Sequence, residues 1–497
     1  METYDVIVIG AGPVGENAAD RARRGGLSVA LIEAELVGGE CSYWACMPSK
    51  TLLRPGAARA ATTGIPGLPE PGPLDPAEVF AWRDRVTGEG DDQGQEDWLA
   101  SVGITLIRGH GRLAGVRRVE VTAGELPEGV STTRALEARR AVVVATGSVP
   151  VLPDIPGLAE ASPWSSRDAT AADAVPESLI VLGGGVVGCE MATAYADLGS
   201  HVTLIARGGL LGSVEPFAGA AVADSLRAAG VDVRTGTSVT RVERRGTTVT
   251  VTVGGGDEAQ QVTAAEILVA TGRTPRTADV GLESVGLDPA TALAIDDTTA
   301  VLTARGDDAG GEAPWLYACG DVTGRAATTH QGKYQARVCG DVLAASFGEG
   351  DTGTGTATAS VERVADAPPW SPLRATADHG AQTQVVFTRP QVAWVGLTRA
   401  EADAAGRDVD EVAVDLTSAA GAGVTHPDYA GRAHLLVDRE RRVIVGATFV
   451  GPDAGEMLHA ATIAIVGEVS MDRLWHAVPA FPTVSEVWLR LCETYGL

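Results

Sequence analysis

Lysine is almost missing from this sequence of 497 residues, which contains only Lys50 and Lys333. It has 39 Lys and Arg residues against 64 Asp and Glu residues, and its formal net charge is −25. Binding to nucleic acid or to an anionic membrane requires clustered basic side chains. The charge therefore argues against both partners and indicates a hydrated acidic surface. Since arginine replaces lysine nearly everywhere, we expect the two lysines to stand where arginine would not serve.

Long apolar runs are also missing. No run approaches the roughly 18–20 residues that span a bilayer. The N-terminal residues lead directly into an apolar strand, without a basic segment or a cleavage pattern. These features predict a cytoplasmic protein that does not enter the membrane. A chain of this length has room for two to four domains, each with its own core.

Cysteine is scarce, and six in 497 residues do not make a disulfide scaffold. Cys41 and Cys46, however, are separated by only four residues. In an ideal helix such a pair lies roughly 8–9 Å apart, beyond the usual disulfide limit of about 7 Å. A reducible bridge would need an irregular helix start, which Gly38-Gly39 permits. The alternatives are two inert thiols or a metal site, although no further Cys or His flanks the pair.

Two segments repeat a strand–turn–helix–strand pattern. In the first, apolar residues 5–9 precede a turn with Gly10, Gly12 and Gly15, and residues 28–32 lead to Glu33. The glycines permit a tight turn and a close approach of the backbone to a pyrophosphate at the helix N-terminus. Glu33 follows Gly10 by 23 residues, where an acid accepts hydrogen bonds from ribose. The alternative is a glycine turn that only packs helix on strand.

The second segment has apolar residues 178–182, a turn with Gly183, Gly185 and Gly188, and a strand over 202–205. Arg207 stands where a ribose-binding acid would be expected. Arginine pairs with a 2′-phosphate and an acid repels it, so the pattern favours NADPH over NADH. The alternative is a hydrated surface arginine.

Further apolar runs end in small, turn-forming residues at 141–146, 267–271 and 315–319. They predict buried parallel strands whose carboxyl ends face a ligand crevice. Loops or linkers are predicted at 63–76, 305–313 and 351–360. A strand-rich and then helical region follows.

Taken together, the motifs resemble those of the pyridine-nucleotide disulfide oxidoreductases, the family of glutathione reductase, dihydrolipoamide dehydrogenase and mercuric reductase. The resemblance spans nearly the whole chain. It rests on the first glycine turn, the segment from Gly38 to Lys50, and four later motifs: Ala145-Thr146-Gly147-Ser148, Ala270-Thr271-Gly272-Arg273, Ala318-Cys319-Gly320-Asp321 and Phe387-Thr388-Arg389-Pro390.

The resemblance implies roles for individual residues. Cys46 would be the cysteine next to the flavin of FAD, and Cys41 the thiol that meets substrate. Lys50, paired with Glu190, would lie near the flavin, and Asp321 would bind its ribityl chain. The remaining cofactor contacts would come from Thr146 and Gly147 for FAD and from Gly272 for NADPH, beside the glycine turns and Arg207.

The resemblance also implies the architecture, an α/β chain with two doubly wound dinucleotide-binding domains and a C-terminal α+β dimerisation domain. The FAD domain would comprise residues 1–150 and 277–350, and the nucleotide domain 151–276. A linker at 351–376 would lead to an interface domain at 377–497, which implies a homodimer.

One position departs from the family pattern. The family supplies an acid–base histidine from a His-Pro-Thr segment near the C-terminus, and a glutamate orients it. Here Phe481 occupies the histidine position and Glu486 remains. Opening a disulfide needs a proton for the departing thiolate, and Phe cannot give one. The leading hypothesis is therefore an oxidoreductase that passes electrons from NADPH to a quinone-type small molecule. The alternatives are a reductase of an unidentified disulfide and a non-enzymatic NAD(P)H sensor.

Overall fold

The computed structural model describes residues 1–123, 133–254, 259–302, 314–348 and 363–497, and it divides into two compact units. Unit 1 comprises Met1–Met47, Thr87–Val149 and Arg273–Asp378, and unit 2 comprises Pro48–Val86, Pro150–Gly272 and His379–Leu497. The predicted loops at 305–313 and 351–360 lie outside the described residues, as does the first part of the predicted linker at 351–376.

The strands, numbered in chain order, are β1 (Glu2–Ile9), β2 (Val29–Glu33), β3 (Thr105–Arg108), β4 (His110–Leu113), β5 (Arg118–Thr122), β6 (Thr133–Val144), β7 (Ser148–Pro150), β8 (Ser178–Leu182), β9 (His201–Ile205), β10 (Asp232–Arg234), β11 (Val239–Arg245), β12 (Thr248–Val253), β13 (Gln260–Ala264), β14 (Glu266–Val269), β15 (Arg273–Pro275), β16 (Leu316–Ala318), β17 (Thr383–Val386), β18 (Gln391–Gly396), β19 (Val409–Asp415), β20 (Arg432–Asp438) and β21 (Ile444–Gly451).

The α-helices are α1 (Pro13–Arg24), α2 (Gly39–Tyr43), α3 (Cys46–Thr62), α4 (Pro76–Val86), α5 (Gln93–Val102), α6 (Ser166–Ala171), α7 (Val186–Asp197), α8 (Pro216–Ala228), α9 (Thr329–Phe347), α10 (Arg399–Ala404), α11 (Ala420–Thr425), α12 (Ala454–Val466), α13 (Met471–Leu474) and α14 (Val487–Tyr495). Within the described ranges, none of these helices is long and apolar enough to cross a membrane.

Unit 1 is built on a seven-stranded sheet in the order β3-β2-β1-β6-β5-β4, with β16 also paired to β6. β1, β2, β3, β6 and β16 are parallel, whereas β5 pairs antiparallel with both β6 and β4. Successive residues of β1 enter different cores, since Val6 and Val8 pack in one cluster and Ile7 and Ile9 in another. Apolar residues on both faces explain why this strand reads as a continuous run.

The described residues of unit 2 form three sheets. A parallel sheet in the order β10-β9-β8-β14 carries the second glycine turn, and β11-β12-β13 form an antiparallel sheet. The C-terminal part forms an antiparallel sheet in the order β17-β18-β21-β20-β19, followed by α12, α13 and α14. The α/β class, with two sheets that each carry a glycine turn and a C-terminal α+β region, is therefore confirmed.

The predicted buried strands at 141–146, 267–271 and 315–319 correspond to the end of β6, to β14 and to β16. Each strand ends one or two residues earlier than its apolar run, at Val144, Val269 and Ala318, where pairing with the neighbouring strand stops. β6 is longer than predicted, since its first half at Thr133 to Glu137 pairs with β5. The predicted loop at 63–76 is observed up to the start of α4 at Pro76.

Candidate active site

The first glycine turn connects β1 to α1 in unit 1. Gly10 has φ of +100°, in the region that favours glycine. A Cβ atom added to Gly10 would overlap the Ala145 carbonyl, and one added to Gly15 would overlap the Gly10 carbonyl. A Cβ atom on Gly12, by contrast, would meet nothing within 4 Å. The outer glycines are therefore required by the fold, and Gly12 borders open space at the helix N-terminus.

Glu33, at the end of β2, is held against this turn. One carboxylate oxygen accepts the Ala11 N–H at 2.7 Å, and the other accepts the Glu35 N–H at 2.8 Å. Each carboxylate oxygen has a second lone pair, so the side chain is oriented but can still accept hydrogen bonds from a ribose.

Ser148, Arg273 and Asp321, each from a different predicted motif, meet in unit 1 through their side chains. The Ser148 hydroxyl donates to Asp321 at 2.6 Å and accepts from Arg273 Nε at 2.8 Å. Arg273 also reaches Glu40, with Nη2 lying 3.4 Å from the carboxylate. Glu40 directly precedes Cys41, so a polar chain links Asp321 to the cysteine segment.

Thr146 and Gly147 fix the neighbouring loop. The Thr146 hydroxyl donates to the Arg276 carbonyl at 2.7 Å, and the Gly147 carbonyl accepts the Arg276 N–H at 2.9 Å. Gly147 has φ of +74° with open space beside its Cα. The backbone at the end of β6 is thus exposed to a ligand on the same sheet edge as Gly12.

Cys41 and Cys46 lie on separate helices. Cys41 belongs to the short helix α2, Trp44 leaves the helical conformation with φ of −131°, and α3 begins at Cys46. The irregular start that a reducible bridge requires is present. The Cys46 sulfur lies 3.2 Å from the Thr329 hydroxyl, at the start of α9. A hydroxyl and a helix N-terminus both favour a thiolate.

The residues of unit 1 fit FAD. The open volume at Gly12 would admit a pyrophosphate, and Glu33 is oriented for a ribose. Asp321 lies on the same polar chain as the cysteine segment. This donor set combines an open helix N-terminus, an oriented carboxylate and a pair of half-buried thiols.

The second glycine turn, in unit 2, repeats the geometry of the first. Gly183 has φ of +123°, and its Cβ atom would overlap the Ala270 carbonyl. A Cβ atom on Gly188 would overlap the Gly183 carbonyl, whereas one on Gly185 would meet nothing within 4 Å. Gly272, with φ of +129°, likewise borders open space. Arg207 is exposed just after β9.

Lys50 and Glu190 are paired in unit 2. Lys50 Nζ lies 2.8 Å from Glu190 Oε2, and the Glu190 side chain is buried. The other Glu190 oxygen accepts the Phe387 N–H at 3.0 Å. The Lys50 ammonium also lies 5.0 Å from the centroid of the Phe387 ring. Glu190 therefore has two partners and Lys50 has an aromatic neighbour.

The segment around Phe481 packs against α11. Phe481 is 76% exposed in a single protomer. Glu486 is buried, and its carboxylate accepts the Ala420 N–H at 3.1 Å and pairs with Arg490. Both Glu486 oxygens are thus bound within the chain. His476, also exposed, lies before this segment.

Two other groups bear on proton transfer. Tyr43, between the cysteines, donates its hydroxyl to the Val37 carbonyl at 3.0 Å, and burial raises its pKa. It is therefore a poor proton donor. Glu16, in the first turn of α1, has its pKa raised to about 7, chiefly by burial, against the opposing charge of Lys333. Its Oε1 has no hydrogen-bond partner within the described residues.

The remaining cysteines are buried. Burial raises the pKa of Cys189 to about 12 and also raises the pKa of Cys319 and of Cys492. These thiols are shielded and poorly ionised, unlike the half-buried Cys41 and Cys46. In the part of the chain that the structure describes, no group of three or more His, Cys, Asp or Glu residues could hold a metal ion.

The sequence assigned no role to Glu16, Glu40 and Thr329 in unit 1, or to Phe387 in unit 2. Glu40 and Phe387 belong to motifs that the sequence analysis identified. Their partners, Arg273 and Glu190, lie in distant segments, so the sequence did not predict these contacts. Thr329 lies 283 residues from Cys46. Glu16 carries no pattern of its own, and only packing reveals the buried carboxyl.

The fold and the site define a class: an oxidoreductase with two dinucleotide-binding folds and a thiol pair beside the first. The chain belongs to the pyridine nucleotide-disulphide oxidoreductase family, which residues 4–336 match. Residues 383–492 match the dimerisation domain of the same family, which supports a homodimer. Family membership implies FAD and a nicotinamide nucleotide, and it confirms that the protein is an enzyme rather than a non-enzymatic sensor.

Curated relatives match over nearly the full chain. A mercuric reductase from Streptomyces lividans is 30% identical over 99% of this chain and 96% of the relative. A dihydrolipoyl dehydrogenase from Thermus scotoductus is 31% identical over 99% of this chain and 97% of the relative.

Solved structures share the fold. The Cu(II) complex of the HOCl-induced flavoprotein disulfide reductase RclA from Escherichia coli superposes with a TM-score of 0.79 at 24% identity, covering 99% of each chain. LpdA from Mycobacterium tuberculosis gives the same TM-score and identity over 100% of each chain.

Proposed function

We propose that the protein is an FAD-dependent oxidoreductase that takes electrons from NADPH and passes them to a small quinone-type acceptor. The chemistry that FAD supplies when bound is acceptance of a hydride and release of electrons. Gly12, Glu33 and Asp321 would hold it in unit 1. The turn around Gly185 would hold the nucleotide, and Arg207 would pair with a 2′-phosphate.

The chain's own groups have separate roles in this proposal. Cys46, at the start of α3, would be held as a thiolate by the helix N-terminus and the Thr329 hydroxyl. Cys41 would form a disulfide bond with Cys46, and two electrons with two protons would reduce that bond to the two thiols. Lys50, held by Glu190, would place a positive charge beside the flavin, where it stabilises negative charge.

The observation that carries the choice of acceptor is the environment of Phe481 and Glu486. Phe481 is an exposed apolar ring where the family presents a histidine, and both Glu486 oxygens are bound by Ala420 and Arg490. A disulfide acceptor needs a proton for its departing thiolate, a step that general acids accelerate by about 10²–10⁴-fold. A quinone has no thiolate leaving group. A flat acceptor could also stack on the ring, worth about 0.5–1.5 kcal/mol.

The test is an anaerobic reduction with NADPH followed by stopped-flow reoxidation with a panel of quinones and disulfides. We expect rapid reoxidation by quinones and slow reoxidation by glutathione disulfide and lipoamide. The variant Phe481→His should raise turnover of small disulfides by tens-fold at most, because Glu486 already has partners. Phe481→Leu, the matched control, should leave disulfide turnover low. Rapid disulfide turnover by the parent protein, unchanged in both variants, would exclude this proposal.

The second candidate is an NADPH-dependent reductase of a low-molecular-weight disulfide. It is favoured by the presence of both Cys41 and Cys46, which a quinone acceptor does not strictly require. It would need another proton donor, since the Tyr43 hydroxyl is hydrogen-bonded and its pKa is raised. Loss of turnover in Cys41→Ser, with quinones as well as disulfides, would favour a thiol route; turnover retained with quinones alone would favour the flavin route.

A further inference from the structure

Phe387 contacts the Lys50–Glu190 pair in two ways. Its backbone N–H donates to Glu190 Oε1 at 3.0 Å, and its ring lies 5.0 Å from the Lys50 ammonium, measured to the ring centroid. Glu190 Oε2 holds the same ammonium at 2.8 Å. The ammonium therefore lies between the Glu190 carboxylate and the Phe387 ring, and the backbone N–H of Phe387 donates to the same carboxylate.

The position of Phe387 is fixed from a second point. Arg389, two residues further on, forms a two-pronged ion pair with Asp197, with Nη2 lying 2.6 Å from Oδ1. Glu190 and Asp197 lie seven residues apart on α7, two turns along one helix face. The segment from Phe387 to Arg389 is thus anchored to α7 at both ends through buried acids, and the ring has little freedom to leave Lys50.

We propose that Phe387 is a positioning residue that holds the Lys50 ammonium through a cation–π contact while its backbone holds Glu190. A carboxylate alone fixes the distance of a flexible lysine better than its direction, since the ammonium is a point charge on a four-carbon stem. A ring face adds an attraction from a second direction. This inference rests on the proposed function in one respect: there, Lys50 is the positive charge beside the flavin.

The small number of lysines makes a direct test possible. With 13C-lysine labelling, the Cε region of an NMR spectrum contains two side-chain signals, and Lys333→Arg assigns them. In the parent protein we expect the Hε signals of Lys50 to be displaced upfield by the ring current of Phe387. If the Hε signals of Lys50 lie at the positions of a lysine without an aromatic neighbour, the parent protein alone overturns the proposal, before any Phe387 variant is made.

Variants at Phe387 give the second part of the test. Phe387→Leu keeps the backbone N–H to Glu190 but removes the ring face, so the upfield shift should disappear. Acetylation of Lys50, measured relative to Lys333 by peptide mass spectrometry, should become about two- to five-fold faster, the size of an exposed cation–π contact. Phe387→Tyr should keep both parental values. An unchanged acetylation ratio in Phe387→Leu would overturn the proposal.

A matched control is available in the same unit. The Phe217 ring lies 5.1 Å from the Arg432 guanidinium and does not contact Lys50. Phe217→Leu removes a contact of the same kind and should leave the Lys50 signals and its acetylation ratio unchanged. If Phe217→Leu changes the Lys50 signals and acetylation ratio as much as Phe387→Leu does, the effect comes from a general destabilisation of the unit and the proposal is wrong.

Stopped-flow reduction of the bound flavin by NADPH separates this inference from the proposed function. We expect the reduction to be slowed in Phe387→Leu, also by about two- to five-fold, with the KM for NADPH unchanged. If the lysine signals and acetylation respond while flavin reduction does not, Phe387 holds Lys50 as inferred and the role given to Lys50 beside the flavin is wrong.

Discussion

At the scale of single residues, the three glycines of each turn have the same separate roles in both turns. In each turn the first and third glycines are required by backbone contacts, at Gly10 and Gly15 and again at Gly183 and Gly188. The middle glycine, Gly12 or Gly185, borders open space. A side chain at a middle position should therefore block a ligand without disturbing the fold.

The variant Gly12→Val should lose FAD while retaining a folded chain. Its side chain would enter the volume where the backbone approaches a pyrophosphate. We expect purified protein without flavin absorbance, with a circular dichroism spectrum like that of parental apoprotein. Gly185→Val is the matched control and should keep FAD but bind NADPH weakly. A fully flavin-loaded Gly12→Val protein would show that the site is misplaced.

Arg207 should determine the choice of nucleotide. Its exposed guanidinium follows β9, where a 2′-phosphate could form a charge-assisted contact. We expect the parent to have the higher kcat/KM with NADPH and Arg207→Glu to prefer NADH. Arg227→Glu, which reverses a charge elsewhere in the same nucleotide fold, should not change the ratio. Equal kcat/KM for the two nucleotides in the parent would contradict this prediction.

At the scale of elements, the break between α2 and α3 separates two thiols that one continuous helix would hold too far apart to bridge. Trp44 ends the helical conformation and Cys46 begins the next helix. Cys46 stands at the first residue of a 17-residue helix, whose free N–H groups carry partial positive charge, whereas Cys41 lies in a helix of only five residues with a smaller dipole. The two thiols are therefore expected to differ in reactivity.

This difference should be visible in the absorption spectrum. Two-electron reduction should produce a long-wavelength charge-transfer band between the Cys46 thiolate and the flavin. Cys46→Ser should lose the band, and Cys41→Ser should show it without reductant, because Cys46 then has no partner to bridge. Identical spectra for the two variants would mean that the roles of the thiols are wrongly assigned.

At the scale of the whole molecule, stability should depend on a buried carboxyl group. Burial raises the pKa of Glu16 from 4.5 to about 7 in the folded chain. The folded state therefore binds a proton that the unfolded state has released, and stability is lost as pH rises from about 4.5 to about 7. The loss amounts to at most about 3 kcal/mol.

The variant Glu16→Gln should remove this pH dependence. We expect it to raise the urea midpoint of the apoprotein at pH 8, where the parental carboxyl is ionised, and to change it little at pH 4.5. Asp20→Asn is the control on the same helix; it removes the pair with Arg24 and should lower the two midpoints by similar, small amounts. A larger stabilisation at pH 4.5 than at pH 8 would contradict the sign of the shift.

The sequence predicted the two glycine turns and the strands and helices around them because their signals are local. The position of Gly12 or Gly185 at a helix N-terminus is set by a local pattern of apolar strand, glycine turn and helix. The position of Glu33 is predicted from its distance along the chain from the first turn. The apolar runs at β6, β14 and β16 also identified buried strands. Their ends were less certain, because pairing rather than composition decides where a strand stops.

The sequence by itself determined the family, the two nucleotide turns, the cysteine pair and the replacement of the expected histidine by Phe481. These depend on residue type and spacing within short segments. Only the tertiary structure decided the partners of Glu190, Glu40 and Cys46 and the burial that raises the pKa of Glu16. Such contacts join segments up to 283 residues apart, and their geometry and desolvation exist only once the chain has folded around them.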